Sequence, residues 1–373
     1  MMMKAIKILS APISVTLMIT RRCNLRCLHC GTSSEQFRRE DMTTKKLLSL
    51  IDELARCKVF RISLTGGEPL IHPHFFKIVN AIMQYSMRMQ LDTNATLVTE
   101  KVVERLKELP RRPLISVSLD SIVAETCNRI RGPGSFINMK RGIRMLAEAG
   151  LRVRPFMVLS RLNYRELPQI VEFIKSIGIK QIFITMPAPC GRALRYEKEM
   201  TLQPNELRKA LETILLVDDS NPGFLTGPWT YMISFYRKLK EGTLADIEET
   251  NKNRMFRNCG AARVQATIAS DGTVVPCDMS YTYRAGNVHD QPFVDIWRNS
   301  TMFNAIRECH GIPLTQVHGC EDCSWHHLCR GPCPAGGYAM TGIWPAAWPI
   351  CPRREIGKLF GKEAVVQESR KVS

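Results

Sequence analysis

The sequence lacks several things that would place it elsewhere. No apolar run approaches the roughly 18 residues that a membrane span needs, so no membrane partner is expected. The opening stretch MMMKAIKILSAPISVTLMIT resembles a secretory signal in charge and apolar content, but it has no small-residue cleavage site and reads as mature sequence. There is no internal repeat, which argues against stacked-repeat architectures. The eight histidines form no metal-binding pattern. Acidic residues are scarce: 35 Asp and Glu face 52 Lys and Arg, a formal net charge of +17. That surplus suits an acidic partner, whether nucleic acid, an acidic peptide or a carboxylate-rich small molecule. The basic residues are scattered (Arg21, Arg22, Arg38, Arg39, Arg111, Arg112, Arg353, Arg354) and form no stripe interleaved with aromatics, so nucleic acid is not the expected partner.

The rest is ordinary globular composition, with 45% hydrophobic and 23% charged residues over 373 positions, enough for one large or two medium domains. The exception is cysteine, at fourteen. Clustered C-x-x-C spacings in a chain with no secretion signal point to metal or redox chemistry rather than disulfides, and to the cytoplasm.

From Ser14 to about Met186, strand-like runs alternate with segments of helical period. The strands are expected at Ser14 to Thr20, Phe60 to Thr65, Met87 to Thr93, Leu114 to Leu119, Leu151 to Leu159 and Gln181 to Met186. Helices are expected at Thr43 to Cys57, Thr99 to Leu109, Ile137 to Ala149 closed by Gly150, and Tyr164 to Ile177 closed by Gly178. This pattern gives an α/β class, a parallel sheet with crossover helices, and six units suggest a partial (β/α)6 barrel with its site at the C-terminal ends of the strands. The expected divisions are a barrel over 1–186, a bridge over 187–258 with a helix Pro204 to Val217 and an aromatic stretch Phe224 to Tyr236, a small cysteine-rich domain over 259–355, and a tail over 356–373.

Two motifs sit at strand ends. RRCNLRCLHCGTSS places Cys23, Cys27 and Cys30 on one loop, three soft ligands where a closed zinc site would want four. An iron-sulfur cluster is the sharper reading; zinc completed by His29 or a distant residue, or incidental thiols, are the alternatives. SLTGGEPL puts Gly66, Gly67, Glu68 and Pro69 directly after a strand, where glycines let backbone approach a ligand or simply make a tight turn.

Together these motifs resemble the radical S-adenosylmethionine (radical SAM) enzymes. The resemblance implies that Cys23, Cys27 and Cys30 hold three irons of a 4Fe-4S cluster and that S-adenosyl-L-methionine chelates the fourth. It further implies that the GGEP loop meets the methionyl amino group, and that reductive cleavage yields a 5′-deoxyadenosyl radical. Weaker counterparts are LDTNATL around Asn94, SVSLDS around Ser118 and Asp120, and RIRG around Arg131. Ser118 and Arg131 would hold the cofactor carboxylate and Asn94 would line the site; each alternatively caps a strand or loop. The chain departs from many relatives in having His29 where an aromatic faces the adenine, and Ala95 where TNG is common.

A second cysteine series, Cys259, Cys277, Cys320, Cys323, Cys329, Cys333 and Cys351, resembles the SPASM extension of radical SAM maturases, so the likeness runs from about Val15 to Arg353. Taken alone, the C-x2-C-x5-C-x3-C portion also suits zinc. The resemblance implies two auxiliary 4Fe-4S clusters. Cys320, Cys323, Cys329 and Cys351 would ligate one, and Cys259, Cys277 and Cys333 the other, one ligand short, with Cys309 an alternative. Asp278 matches the position of a proposed catalytic base in anaerobic sulfatase maturases; it alternatively hydrogen-bonds within its loop. Cys57, Cys127 and Cys190 are expected to pack as small apolar residues.

Three functions follow for test: oxidative maturation of a peptide or protein, modification of a cofactor precursor of tetrapyrrole/haem or tungstopterin type, or a non-enzymatic iron-sulfur carrier, which the GGEP loop argues against. The first needs a peptide, and with only 22 residues before Cys23 it calls for a separate peptide-recognition protein. All enzymatic versions imply a ferredoxin or flavodoxin as electron donor.

Overall fold

The computed structural model describes residues 8–32, 40–243, 255–256, 259–323, 325–326, 329, 331–348 and 351–360. Arg38, Arg39 and the tail beyond 360 lie outside them. Six strands form the expected alternation: β1 Ser14–Met18, β2 Arg61–Thr65, β3 Arg88–Thr93, β4 Leu114–Ser118, β5 Arg152–Val158 and β6 Ile182–Thr185. They are neighbours in sequence order and all parallel. Each is shorter than its sequence pattern by one or two residues: Thr20, Leu119, Leu159 and Met186 leave the ladder to build the loops above it, while β2 and β3 lose only their first residue.

Helices cover the outer face. In α1, Thr44–Arg56, the N-cap Thr43 accepts the Lys46 N–H at 3.2 Å, and Leu47, Leu50, Ile51 and Leu54 recur at helical spacing against the sheet. Each such side chain contributes roughly 1.5–3 kcal/mol by leaving water. Helices α2 (Phe75–Met83), α3 (Glu100–Lys107), α4 (Ala124–Arg131), α5 (Ser135–Glu148) and α6 (Leu167–Ser176) follow. Gly150 and Gly178, with φ +69° and +78°, end α5 and α6 in the left-handed region. The helix expected from Tyr164 begins as a 3-10 turn over Tyr164–Glu166, and the α-helix starts at Leu167 with Pro168 in its first turn.

Beyond Pro187 the chain continues to build the same sheet. After the one-turn helices α7 (Arg192–Arg195) and α8 (Glu197–Met200), α9 (Pro204–Ser220) and α10 (Pro228–Glu241) flank β7, Leu225–Thr226, which pairs with β6. The aromatic stretch anchors this addition: Trp229 is buried and its Nε1 donates to the Thr185 carbonyl at 3.1 Å. The segment from 259, expected as a separate small domain, sends strands to the other edge of the sheet. Strand β8 (Gln265–Ile268) pairs parallel with β1, and β9 (Thr273–Val275) and β10 (Gly286–Asn287) follow antiparallel. The physical reason is the open edge of β1, whose N–H and C=O groups need a partner. Among the described residues no helix is long and apolar enough to cross a membrane.

Candidate functional site

The cysteine loop leaves β1 at Thr20, whose hydroxyl donates to Asp41 at 2.7 Å, while the Arg21 N–H donates to the same carboxylate at 3.1 Å. The GGEP loop lies against it. Gly67 N–H donates to the Thr20 carbonyl at 2.8 Å and Glu68 N–H to that of Arg22 at 2.9 Å, which extends the β1–β2 pairing beyond the strands. A Cβ on Gly66 would stand 2.5 Å from the Thr20 oxygen, and one on Gly67 2.3 Å from that of Arg22. Backbone-to-backbone approach within the protein by itself requires glycine at both positions.

Glu68 is fully buried. Its carboxylate accepts from Thr93 Oγ1 and Asn94 N–H, both at 2.7 Å, and from Leu70 N–H at 3.2 Å. Burial nevertheless pushes its pKa up to about 7. Pro69 opens a 3-10 turn, Pro69–Ile71. Asn94 reaches the cysteine loop, with its amide 3.0 Å from Asn24 Oδ1 and 4.0 Å from Cys23 Sγ. Ala95, where relatives often have glycine, sits at φ +59°, so its methyl is held in a region that costs roughly 1–2 kcal/mol.

Behind the loop lies a buried ionic trio. Asp120 Oδ2 meets Arg131 Nη2 at 2.6 Å and His29 Nε2 at 2.5 Å, and Asp120 Oδ1 accepts the Val158 N–H at 2.8 Å. Asp120 is 0% exposed and Arg131 4%. Burial works against the Asp120 charge, but Arg131 and then His29 outweigh it and hold the carboxyl well below the usual range. Arg131 also points Nη1 at Cys27 Sγ, 3.8 Å away. The residues expected to meet cofactor, His29 and Arg131, thus have Asp120 as their first partner. Ser118 ends β4, half-buried, level with Phe156 of β5. Arg192 pins the loop from the far side, through Nε to the Cys27 carbonyl at 3.0 Å and its N–H to that of Cys30 at 2.9 Å.

The later cysteines fall into two groups. Cys259 and Cys333 pack with Cys277 around Ala261 and Ala335. Cys320, Cys323, Cys329 and Cys351 form the second: burial pushes Cys320 up to about 12, and Cys351, Cys329 and Cys323 add to it. Cys309 caps the helix Thr301–Glu308 and belongs to neither. Cys190, expected to be packing, instead stands beside the cysteine loop, since a Cβ on Gly31 would lie 2.9 Å from its sulfur. Burial raises its pKa to about 12, with Asp278, Cys333 and Cys30 adding to the rise, so it stands between the Cys23/Cys27/Cys30 loop and the Cys259/Cys277/Cys333 group. Asp278 is exposed to solvent, and the protein crowded around its carboxyl raises its pKa above the ordinary carboxylate value. Tyr281 bridges the halves, its hydroxyl 2.9 Å from Met18 Sδ.

The donor chemistry fits iron-sulfur clusters. Burial raises Cys23, Cys27 and Cys259, the last two to about 12, and a bound metal would supply the stabilisation that their thiolates lack from water. The sulfurs already accept hydrogen bonds of the kind that tune such clusters: Leu25 N–H to Cys23 at 3.4 Å, Ala261 N–H to Cys259 at 3.4 Å, and Gly331 N–H and Arg353 to Cys329 at 3.3 and 3.5 Å.

Asp120, Cys190 and Tyr281 are site residues that sequence reasoning did not single out as such. The signal was present only for Asp120, in the SVSLDS stretch, and faintly for Cys190, a Cys-Gly pair following the last barrel strand.

A parallel sheet whose C-terminal rim gathers three thiols, a GGEP loop and a second cysteine assembly defines an iron-sulfur enzyme of the radical-generating class. Residues 17–174 match the Radical SAM superfamily and residues 259–324 match SPASM, an iron-sulfur cluster-binding domain. The chain is 30% identical over 368 residues to the mycofactocin maturase MftC of Mycobacterium ulcerans, covering 96% of this chain and 92% of that one. It is 29% identical over 347 residues to the AdoMet-dependent heme synthase of Methanosarcina barkeri, covering 92% and 97%. It shares its fold with Streptococcus suis SuiB bound to precursor peptide SuiA, with a TM-score of 0.70 at 17% identity over 93% of this chain and 77% of that one. The protein belongs to the radical SAM superfamily and carries a SPASM domain; it is an enzyme whose cofactors are S-adenosyl-L-methionine, a 4Fe-4S cluster and auxiliary iron-sulfur clusters.

Proposed function

We propose that this enzyme carries out the oxidative maturation of a peptide or protein. The observation that carries the reading is that Cys190 stands within electrostatic reach of Cys30, Asp278 and Cys333, which supports a hydrogen-removing centre and an electron-accepting one close to the same substrate. When bound, S-adenosyl-L-methionine and its cluster supply the radical that removes a hydrogen atom, and the auxiliary clusters supply the sink for the electron that follows. In this reading Cys23, Cys27 and Cys30 hold the first cluster; Cys320, Cys323, Cys329 and Cys351 hold one auxiliary cluster, and Cys259, Cys277 and Cys333 the other. Gly66, Gly67 and Pro69 shape the loop that receives the methionyl end, with Glu68, Asn94, Ser118, His29 and Arg131 around it. Asp278, with its pKa raised by the protein crowded around its carboxyl, is placed to take the proton that leaves the oxidised substrate. Arg131 and Arg192 fix the cysteine loop so that distances hold while the barrel excludes stray hydrogen donors.

The setting we infer is the cytoplasm, with a ferredoxin or flavodoxin as donor and a separate recognition protein presenting the peptide. The barrel over 1–186, the bridge over 187–258 and the cysteine-rich part over 259–355 would act as its working parts. The second reading, modification of a tetrapyrrole-type cofactor precursor, draws support from the heme synthase relative and from the excess positive charge. The test is anaerobic reconstitution with iron, sulfide and zinc counted per chain, in wild type and a Cys23/Cys27/Cys30→Ala variant. About twelve irons falling to about eight is expected; about four irons accompanied by zinc would refute the auxiliary-cluster arrangement.

A further inference from the structure

At the opposite end of the barrel, the N-terminal ends of the strands surround a cavity of ≈ 420 Å³ lined by Arg61, Arg88, Arg111, Arg112, Arg152 and Arg154, with no acidic residue in its lining. Arg61 and Arg88 are register partners on adjacent strands β2 and β3, and Arg152 opens β5 level with Leu114 of β4. Their side chains therefore project from one face of the sheet, with the strands about 4.8 Å apart. Like charges side by side on a sheet are destabilising unless something offsets them. The offset here is partial: the Asp92 carboxylate acts on Arg154, and Arg88 lies over the Phe60 ring, 5.8 Å from its centre, but among the described residues none of the six forms an ion pair, and Arg61 and Arg152 have no hydrogen-bond partner. Arg154 makes a single hydrogen bond, Nη2 to Gln90 Oε1 at 3.3 Å, and leaves its buried Nε unpaired. Arg111 and Arg112 are held in place by the Met83 and Gly150 carbonyls at 2.8 and 3.2 Å, which fixes their guanidinium groups beside the opening.

No helix begins at this cavity, so backbone N–H groups do not supply the anion site as they do in phosphate loops; guanidinium forks do, and their planar geometry matches carboxylates. Strand β2 spans five residues between Arg61 and the loop that begins at Gly66, so the rim lies roughly 15 Å below the cysteine loop.

We propose that this arginine rim binds clustered carboxylates on the substrate and so fixes a polycarboxylate ligand across the barrel from the cysteine loop. The proposal rests on the radical SAM reading and names the substrate chemistry for it. The carboxylates come either from an acidic peptide or from a tetrapyrrole-type macrocycle, and binding separates the two. The reconstituted full chain is titrated calorimetrically with hexaglutamate, hexaglutamine and coproporphyrin III, in wild type, Arg61→Gln/Arg88→Gln and Arg61→Lys/Arg88→Lys. Both arginines are exposed, so the fold is expected to tolerate the changes, and circular dichroism checks that it does.

One polycarboxylate is expected to saturate the wild type, with affinity falling tenfold or more in the glutamine pair and largely kept in the lysine pair. Hexaglutamate binding assigns a peptide source and coproporphyrin binding a macrocycle. The proposal is overturned if neither binds, if the glutamine pair binds as the wild type does, if hexaglutamine binds equally well, or if sulfate alone competes at the same concentration. Iron content and S-adenosylmethionine cleavage measured on the same samples keep the two ideas apart. A chain that passes both and ignores polycarboxylates refutes only the rim, whereas one that binds them without iron refutes the cluster arrangement of the proposed function.

Discussion

Replacing Asp120 by asparagine tests whether the buried trio holds the cysteine loop. Asparagine keeps the shape and an acceptor for the Val158 N–H but removes the charge 2.6 Å from Arg131. At an effective dielectric near 20, a pair with charge centres about 4 Å apart is worth roughly 4 kcal/mol. Arg131 is 4% exposed and cannot recover that by turning to water. Breaking a buried pair from one side typically costs 3–5 kcal/mol, and a loss of about that size in urea unfolding is expected. Adding Arg131→Met removes the stranded charge, so the double variant should recover at least about 2 kcal/mol relative to the sum of the single changes. Iron per chain should fall in Asp120→Asn, since His29 and Arg131 flank Cys30 and Cys27. A loss below about 1 kcal/mol, or strict additivity in the double variant, would show that the trio contributes little. Because the folded pKa of Asp120 is depressed from 3.8, its contribution is present above that pH and is lost only as pH falls through the lower folded value.

Gly67→Ala should cost about 1–3 kcal/mol or more in thermal unfolding and lower iron retention, because the added methyl meets the Arg22 carbonyl at 2.3 Å; a variant that keeps wild-type stability and iron would contradict the backbone pairing. Glu68 has a folded pKa raised from 4.5 to about 7, so its contribution is fully present below 4.5 and lost as pH rises through 7, up to roughly 3 kcal/mol. In Glu68→Gln, stability measured between those pH values should lose this downward slope, and an unchanged slope would assign it elsewhere. Asp278→Asn with intact clusters should lower the rate of product formation by about 100-fold or more if the carboxylate takes the proton, while full activity would remove it from the mechanism.

The barrel was legible because each of its strands carries its own evidence. SVTLM alternates buried and half-buried residues, Thr43 and Thr99 announce helices, and Gly150 and Gly178 close them. The first cysteine set was legible because all three ligands fit on eight residues of chain. What escaped depends on neighbours far apart in sequence. Strands β8 to β10 run only two to four residues, too short for a periodic signal, and are fixed by pairing with β1. Asp120 and Arg131 read separately as loop residues; their meeting follows from α4 folding back over β4. Arg61, Arg88 and Arg152 carry no signal in the sequence alone; register sets Arg61 beside Arg88 and puts Arg152 on the same face two strands away. The close approach of the GGEP glycines to the Thr20 and Arg22 carbonyls was not legible, since a single sequence cannot show which backbone a glycine approaches.

The parallel pairing of β8 with β1 has a consequence for synthesis. Strand β1 gains its second neighbour only when residues about 250 positions later have been made. At roughly 5–20 residues per second the nascent barrel waits some tens of seconds with an open edge directly below the cysteine loop. Until then that edge can pair with another chain, and the loop above it is supported from one side by β2 alone. Cluster loading before release from the ribosome would therefore meet an unfinished cradle, and a chain truncated before Gln265 should be prone to aggregate through β1 even though every residue of its cysteine loop is present.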